Sequence, residues 1–163
     1  MFLNKVITLF LVFFASLVFA LPEDAKQPIE IEAHSVVVDE TTEFHEFSGN
    51  AEVRQGSFLL LAELIQVQTK NEEVVSVIAK GSLQKPAKYS QDQGNQERFV
   101  EATATLITYD VDGGMVFLVG HAHLIQGFDS FSGDTLTYDI DNDKVVVKGS
   151  EDGTERVKFK IAL

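Results

Sequence analysis

From residue 29 onward the chain alternates. Val36 and Val38, then Ile65 and Val67, then Ile107, Tyr109 and Val111, then Leu136, Tyr138 and Ile140 are apolar at every second position, with mostly polar residues between them. A period of two is the mark of a strand with one buried face. Beyond the first twenty residues, no run of ten or more holds a 3.6-residue period. The nearest rival is 57–68, SFLLLAELIQVQ, which reads as a helix in isolation. Spacing overrules it. Units begin at Ala33, Ala62, Ala104 and Gly133, with 29 residues between the first two and again between the last two, and they end on Gly49, Gly81, Gly120 and Gly149. Ala62 to Val67 therefore holds the place of Gly133 to Tyr138, and the segments Phe58–Leu61 and Ala62–Thr69 are predicted strands.

A longer repeat overlies these units. FSGNAEVRQGSF, starting at Phe47, recurs as LVGHAHLIQGFD, starting at Leu118, at an offset of 71. Gly, Ala, Gln and Gly coincide, and Val53 meets Leu124. The glycines predict a repeated corner, where a strand bends or backbones approach closely. Asp112-Gly113 is a type I′ hairpin signal; Asp141-Asn142-Asp143 and Lys70-Asn71-Glu72 are weaker ones. Between Gly81 and Ala104 lies an insertion, whose polar part, Gln91 to Gln96, is predicted to be a flexible loop. A lone hairpin is marginal in water, whereas stacked hairpins enclose a continuous interior. The predicted fold is all-β: a stacked-hairpin trough of about four repeated units, open at both ends.

Composition narrows the setting. MFLNKVITLFLVFFASLVFA has one Lys, an apolar run and small residues at Val18 and Ala20, the pattern of a cleavable signal peptide over 1–20. The run Val6 to Ala20 is shorter than the roughly 20 residues a spanning helix needs. One domain, 21–163, follows. Without Lys5 it holds 12 of the 13 basic residues against 25 acidic ones, a net charge of −13. That excludes a nucleic-acid backbone as partner, which needs clustered Lys and Arg. There is no Cys, hence no disulfide frame and no thiolate chemistry.

Candidate chemistry is sparse. His121 and His123 have a spacing that can ligate metal, but the matching first-half positions are Asn50 and Glu52, and a surface pair is the better reading. Asp139-x-Asp141-x-Asp143 opens like a calcium loop, yet Lys144 and Ser150 stand where Gly and Glu are required, so it reads as a solvated turn. No nucleophile elbow, metalloprotease motif, phosphate loop or cofactor motif occurs, and no carboxylate pair has a convergent setting. The terminal stretches alternate cleanly: Gln27 to His34, and Arg156 to Leu163 with Val157, Phe159, Ile161 and Leu163 on one side. These are free edges, able to pair with a neighbouring sheet.

The leader, QPIEIEA, FSGNAEVRQGS, KGSLQKPAKY, EATATLITYD, VFLVGHAHLIQ and SGDTLTYDIDNDKV, in that order, resemble the LptA (OstA-like) periplasmic lipopolysaccharide-transport proteins. The resemblance implies an antiparallel β-jellyroll whose apolar interior carries lipopolysaccharide acyl chains across the periplasm for outer-membrane assembly. It implies head-to-tail self-association, and partners like inner-membrane LptC and outer-membrane LptD. It implies no enzymatic activity and no cofactor. Combined with the alternation, it places acyl-chain contacts at Ile29, Ile31, Val36, Val38, Ile65, Val67, Tyr89, Ile107, Tyr109, Val111, Leu136 and Tyr138, and partner edges at Ile29, Ile31, Val157, Phe159 and Ile161. The acidic surface repels an anionic lipid, so the chains must supply affinity: at about 0.8 kcal/mol per methylene, a 12-carbon chain approaches roughly 10 kcal/mol as an upper bound. A sealed β scaffold and an envelope glycan hydrolase are the alternatives.

Overall fold

The computed structural model describes residue 24 and residues 27–92 and 99–162, so the predicted leader lies outside the described residues. The described residues form twelve antiparallel strands. The first six are β1 (Glu30–Glu32), β2 (Ser35–Asp39), β3 (Phe44–Gln55), β4 (Phe58–Lys70), β5 (Glu73–Lys80) and β6 (Ala87–Gln91). The second six are β7 (Val100–Ala104), β8 (Leu106–Asp110), β9 (Met115–Gln126), β10 (Asp129–Asp139), β11 (Lys144–Lys148) and β12 (Lys158–Lys160). The 71-residue offset carries β2 onto β8 and β3 onto β9, residue for residue at both ends.

Register folds this sheet into two layers. One runs β2, β3 (44–48), β4 (64–70), β5, β8, β9 (115–119), β10 (135–139), β11. The other runs β1, β3 (51–55), β4 (58–61), β6, β7, β9 (122–126), β10 (129–133), β12. The long strands pass from one layer to the other through a corner. There the repeated glycines act: Gly49 and Gly120 both have φ +80, and the next residues, Asn50 and His121, have φ 51 and 50. The repeat reaches the hydrogen bonds, since His34 N donates to Gly49 O at 3.1 Å and Thr105 N to Gly120 O at 2.9 Å. Two consecutive left-handed residues break the pleat and turn the strand, a conformation glycine adopts freely. This is the β-jellyroll that the alternation and the resemblance predict.

Three expectations are corrected. The stretch between Gly81 and Ala104 is no insertion: it supplies β6 and β7, the middle of the second layer. Gln91 ends β6 and is buried rather than belonging to a loop; 93–96 lies outside the described residues. Asp112-Gly113 is not a type I′ turn. Asp110 pairs with Met115 across a four-residue loop whose positive φ falls on Gly114. The turn with positive φ at both central residues is Asn71-Glu72, at 53° and 67°, between paired Lys70 and Glu73. Asp139 to Asp143 is a turn: Asn142 N donates to Asp139 Oδ1 at 3.1 Å and Tyr138 Oη to Asp143 Oδ1 at 2.9 Å. His121 Nδ1 lies 3.1 Å from Glu155, and among the described residues no group of three metal-binding side chains occurs.

His45, on the inner face of β3 between Val38 and Val67, is buried with neither ring nitrogen hydrogen-bonded among the described residues. Burial lowers its pKa from 6.5; Glu40 and Glu43 act the other way but are outweighed. The unfolded chain therefore takes up a proton that the folded one refuses. His45's contribution to stability is present above pH 6.5 and lost as pH falls from there through the lower folded pKa. The melting temperature is expected to drop from pH 7.5 to 5.5, and His45→Phe to flatten that drop; an unchanged slope contradicts it.

Candidate functional site

The inner faces of the two layers do not fill the space between them. A cavity of about 130 Å³ lies there. One water needs about 10–15 Å³ measured the same way, so the gap is far larger than a packing defect. Ile65, Val67, Ile107, Tyr109, Leu118 and Leu136 line it from the first layer, and Val53, Leu60, Tyr89, Ala102 and Leu124 from the second. Small residues leave the room: Ala79 and Ala102 occupy wall positions and reach only a short way across. The lining is hydrocarbon apart from the tyrosine hydroxyls and Gln126. Water there would lack the two to four polar partners it needs, so the space suits an apolar ligand.

The tyrosines keep the wall uncharged. Burial raises the pKa of Tyr89 and of Tyr109. Tyr138 is pushed up to about 12, first by burial, then by its bond to Asp143. Gln126, which lines the cavity from the second layer, acts the other way and is outweighed. On the second layer's rim, Tyr89 Oη donates to Gln91 Oε1 at 3.0 Å and Gln91 Nε2 to Asp24 Oδ2 at 3.4 Å. Asp24 also accepts from Ser57 N at 3.0 Å, and Gln55 Nε2 donates to Gln27 O at 3.1 Å. The polar groups are thus collected at the rim. Behind them Phe58 tilts against Tyr89 with ring centres 5.5 Å apart.

Of the residues named from sequence for acyl-chain contact, Ile65, Val67, Tyr89, Ile107, Tyr109, Leu136 and Tyr138 line the cavity. Val111, Ile29 and Ile31 are partly buried against the core beside it. Val36 and Val38 point inward by register, opposite Phe47 and His45, but stand 53% and 43% exposed. They lie on an edge strand that, among the described residues, pairs only with β3. Val157, Phe159 and Ile161 are exposed at the other end, and only Lys158 to Lys160 form a strand, on β10. Val116, Leu118, Val77, Phe58 and Ala102 were not named. The first two continue the alternation of β9 and face Tyr109 and Ile107 across the ladder, a signal that was available.

Three comparisons bear on this geometry. Residues 30–156 match the family model described as LptA/(LptD N-terminal domain) LPS transport protein. The lipopolysaccharide export system protein LptH of Pseudomonas aeruginosa is 30% identical over 142 residues, covering 86% of this chain and 79% of its own length. The lipopolysaccharide export system protein LptA of Escherichia coli K12 is 32% identical over 127 residues, covering 78% of this chain and 68% of its own. The crystal structure of LptH, described as the LptA-homologous periplasmic component of the lipopolysaccharide transport device of Pseudomonas aeruginosa, matches at a TM-score of 0.68 and 26% identity. The match covers 87% of this chain and all of that one.

Proposed function

This chain belongs to the LptA/LptD N-terminal-domain family of lipopolysaccharide transport proteins, and on that premise we propose that it carries lipopolysaccharide through the periplasm with acyl chains held between its two layers. The observation that supports this most is the unfilled, almost wholly apolar cavity. A sealed scaffold would pack its inner faces together to the density of an ordinary core. Binding is non-enzymatic: the sugar and phosphate portion stays at the polar rim while hydrocarbon leaves water. The edges β1 and β2 at one end, and β11 and β12 at the other, are the surfaces for stacking on a second copy and on LptC-like and LptD-like partners.

The test compares lipopolysaccharide, lipid A and the water-soluble, fully deacylated sugar portion as ligands of the purified chain. Binding of the first two and not the third is expected. A photo-crosslinking residue at Tyr109 is expected to capture lipid, and one at Thr108, on the outer face of the same strand, to capture none. Equal binding of the deacylated sugar, or equal capture at the two positions, overturns the reading.

A further inference from the structure

The hydrogen bonds at the rim of the second layer run in one direction only. In β6 the period of two puts Ala87, Tyr89 and Gln91 on the inner face, so the Tyr89 hydroxyl reaches along the strand to the next inward side chain. Tyr89 Oη donates to Gln91 Oε1 at 3.0 Å. An amide has a donating and an accepting end, and Asp24 decides which end Tyr89 meets. Gln91 Nε2 donates to Asp24 Oδ2 at 3.4 Å, and a carboxylate only accepts. Asp24 is itself seated: it is buried, Ser57 N donates to its Oδ1 at 3.0 Å, and Ser57 Oγ donates to its Oδ2. The loop is shaped to that seat, since Gly56 has φ +55 and a Cβ added there would overlap Asp24 Oδ1.

The polarity of the wall follows. Asp24 accepts from Gln91, so Gln91 accepts from Tyr89, and the Tyr89 hydroxyl proton is committed to the rim. Burial and then the Asp24 charge both favour keeping that proton on the oxygen. What Tyr89 Oη has left is its lone-pair side, and among the described residues no group donates to it. Tyr138 differs. It too donates, to Asp143 Oδ1 at 2.9 Å, but Gln126 lowers its pKa, the direction that a donor to the oxygen produces. Tyr89 therefore meets the cavity as an acceptor.

We infer that Tyr89, positioned through Gln91 by Asp24, selects lipids whose acyl chains carry a hydrogen-bond donor near the head, a hydroxyl or an amide N–H, over chains that are only ester-linked. The inference rests on acyl-chain carriage in this cavity and adds its selectivity. Burial of methylenes is indifferent to linkage, so the apolar wall alone would take a glycerophospholipid chain as readily as one of lipid A. The linkages differ. Lipid A carries amide-linked and hydroxylated chains, which donate. The ester oxygens of a diacyl glycerolipid only accept, and against the Tyr89 lone pairs they would stand unpaired. Sites that hold a polar group in one fixed sense reject a ligand that cannot complement it.

Displacement of a bound fluorescent fatty acid tests this with two neutral probes of one chain length, methyl β-hydroxymyristate and methyl β-methoxymyristate, beside lipid A. The wild type is expected to prefer the hydroxy ester about fivefold or more, the size of one net hydrogen bond. Tyr89→Phe is expected to bring the two esters within about twofold by weakening the hydroxy ester alone. Asp24→Asn is expected to do so by the opposite route. Its Nδ2 takes the place of Oδ2, turns the Gln91 amide round and frees the Tyr89 proton to serve the methoxy oxygen, so the methoxy ester tightens. Gln91→Leu frees the same proton by removing its acceptor, and stands in if Asp24→Asn proves unfolded in a thermal melt. A wild-type ratio under about twofold, or the full preference surviving in any folded variant, overturns the selectivity and leaves carriage standing. Capture of lipid A with neither ester bound does the same. Binding of none of the three overturns carriage, and the inference with it.

Discussion

Lipopolysaccharide affinity is expected to fall at least tenfold when Ala102 is replaced by Phe, with the fold retained. Ala102 is buried, lines the cavity and faces Tyr89 and Leu124 across its neighbours. A Cβ substituent there projects into open space rather than into packed protein, so the usual overpacking cost of about 1–3 kcal/mol is reduced or reversed. The ring occupies volume that an acyl chain needs. Losing two methylenes from the site costs about 1.6 kcal/mol at roughly 0.8 each, already more than tenfold in affinity. Ala79→Phe does the same from the opposite layer. The check is a binding isotherm beside a thermal melt. Unaltered affinity in both folded variants means that the lipid does not use this space.

The second large effect falls at the corner. Gly49→Ala is expected to cost roughly 2–5 kcal/mol of stability, combining about 1–2 for a left-handed non-glycine residue with about 1–3 for overlap. The added Cβ would lie 2.5 Å from His34 Cβ, which cannot rotate away. Gly120→Ala places its Cβ against Thr105 Oγ1, and that hydroxyl accounts for one of the bonds closing the same corner, to Gly120 O at 3.0 Å. Gly153 is the control: its φ is +75, and a Cβ added there would meet nothing within 4 Å, so Gly153→Ala carries the conformational cost alone. Urea unfolding measures all three. With total stabilities of about 5–15 kcal/mol typical, the corner variants should lose a large fraction. A loss at Gly49 no larger than at Gly153 would show that close approach plays no part.

Much of this was legible because it is periodic. Alternation assigned Ile65, Val67, Ile107, Tyr109, Leu136 and Tyr138 to one face, and a strand has only two faces. The offset of 71 identified the corner because left-handed backbone demands glycine, and glycine leaves a trace in sequence. What alternation cannot supply is a neighbour. Val36 and Val38 obey the same rule as Ile107 and Tyr109 but end up exposed, because β2 is the last strand of its layer. The second layer was harder. AKYSQ and VEATA are short and half polar, so β6 and β7 passed for an inserted segment, and Ala102 went unnoticed.

Sequence alone therefore determined the strand class, the inward face and the two bends, since each depends on residues close together in the chain. Tertiary structure decided that the inner faces stand apart. That separation depends on which side chains oppose one another across the layers, Ala79 and Ala102 against longer neighbours, and on a corner that holds the layers at one margin only. Contacts between residues distant in sequence set that volume, and no local pattern records it.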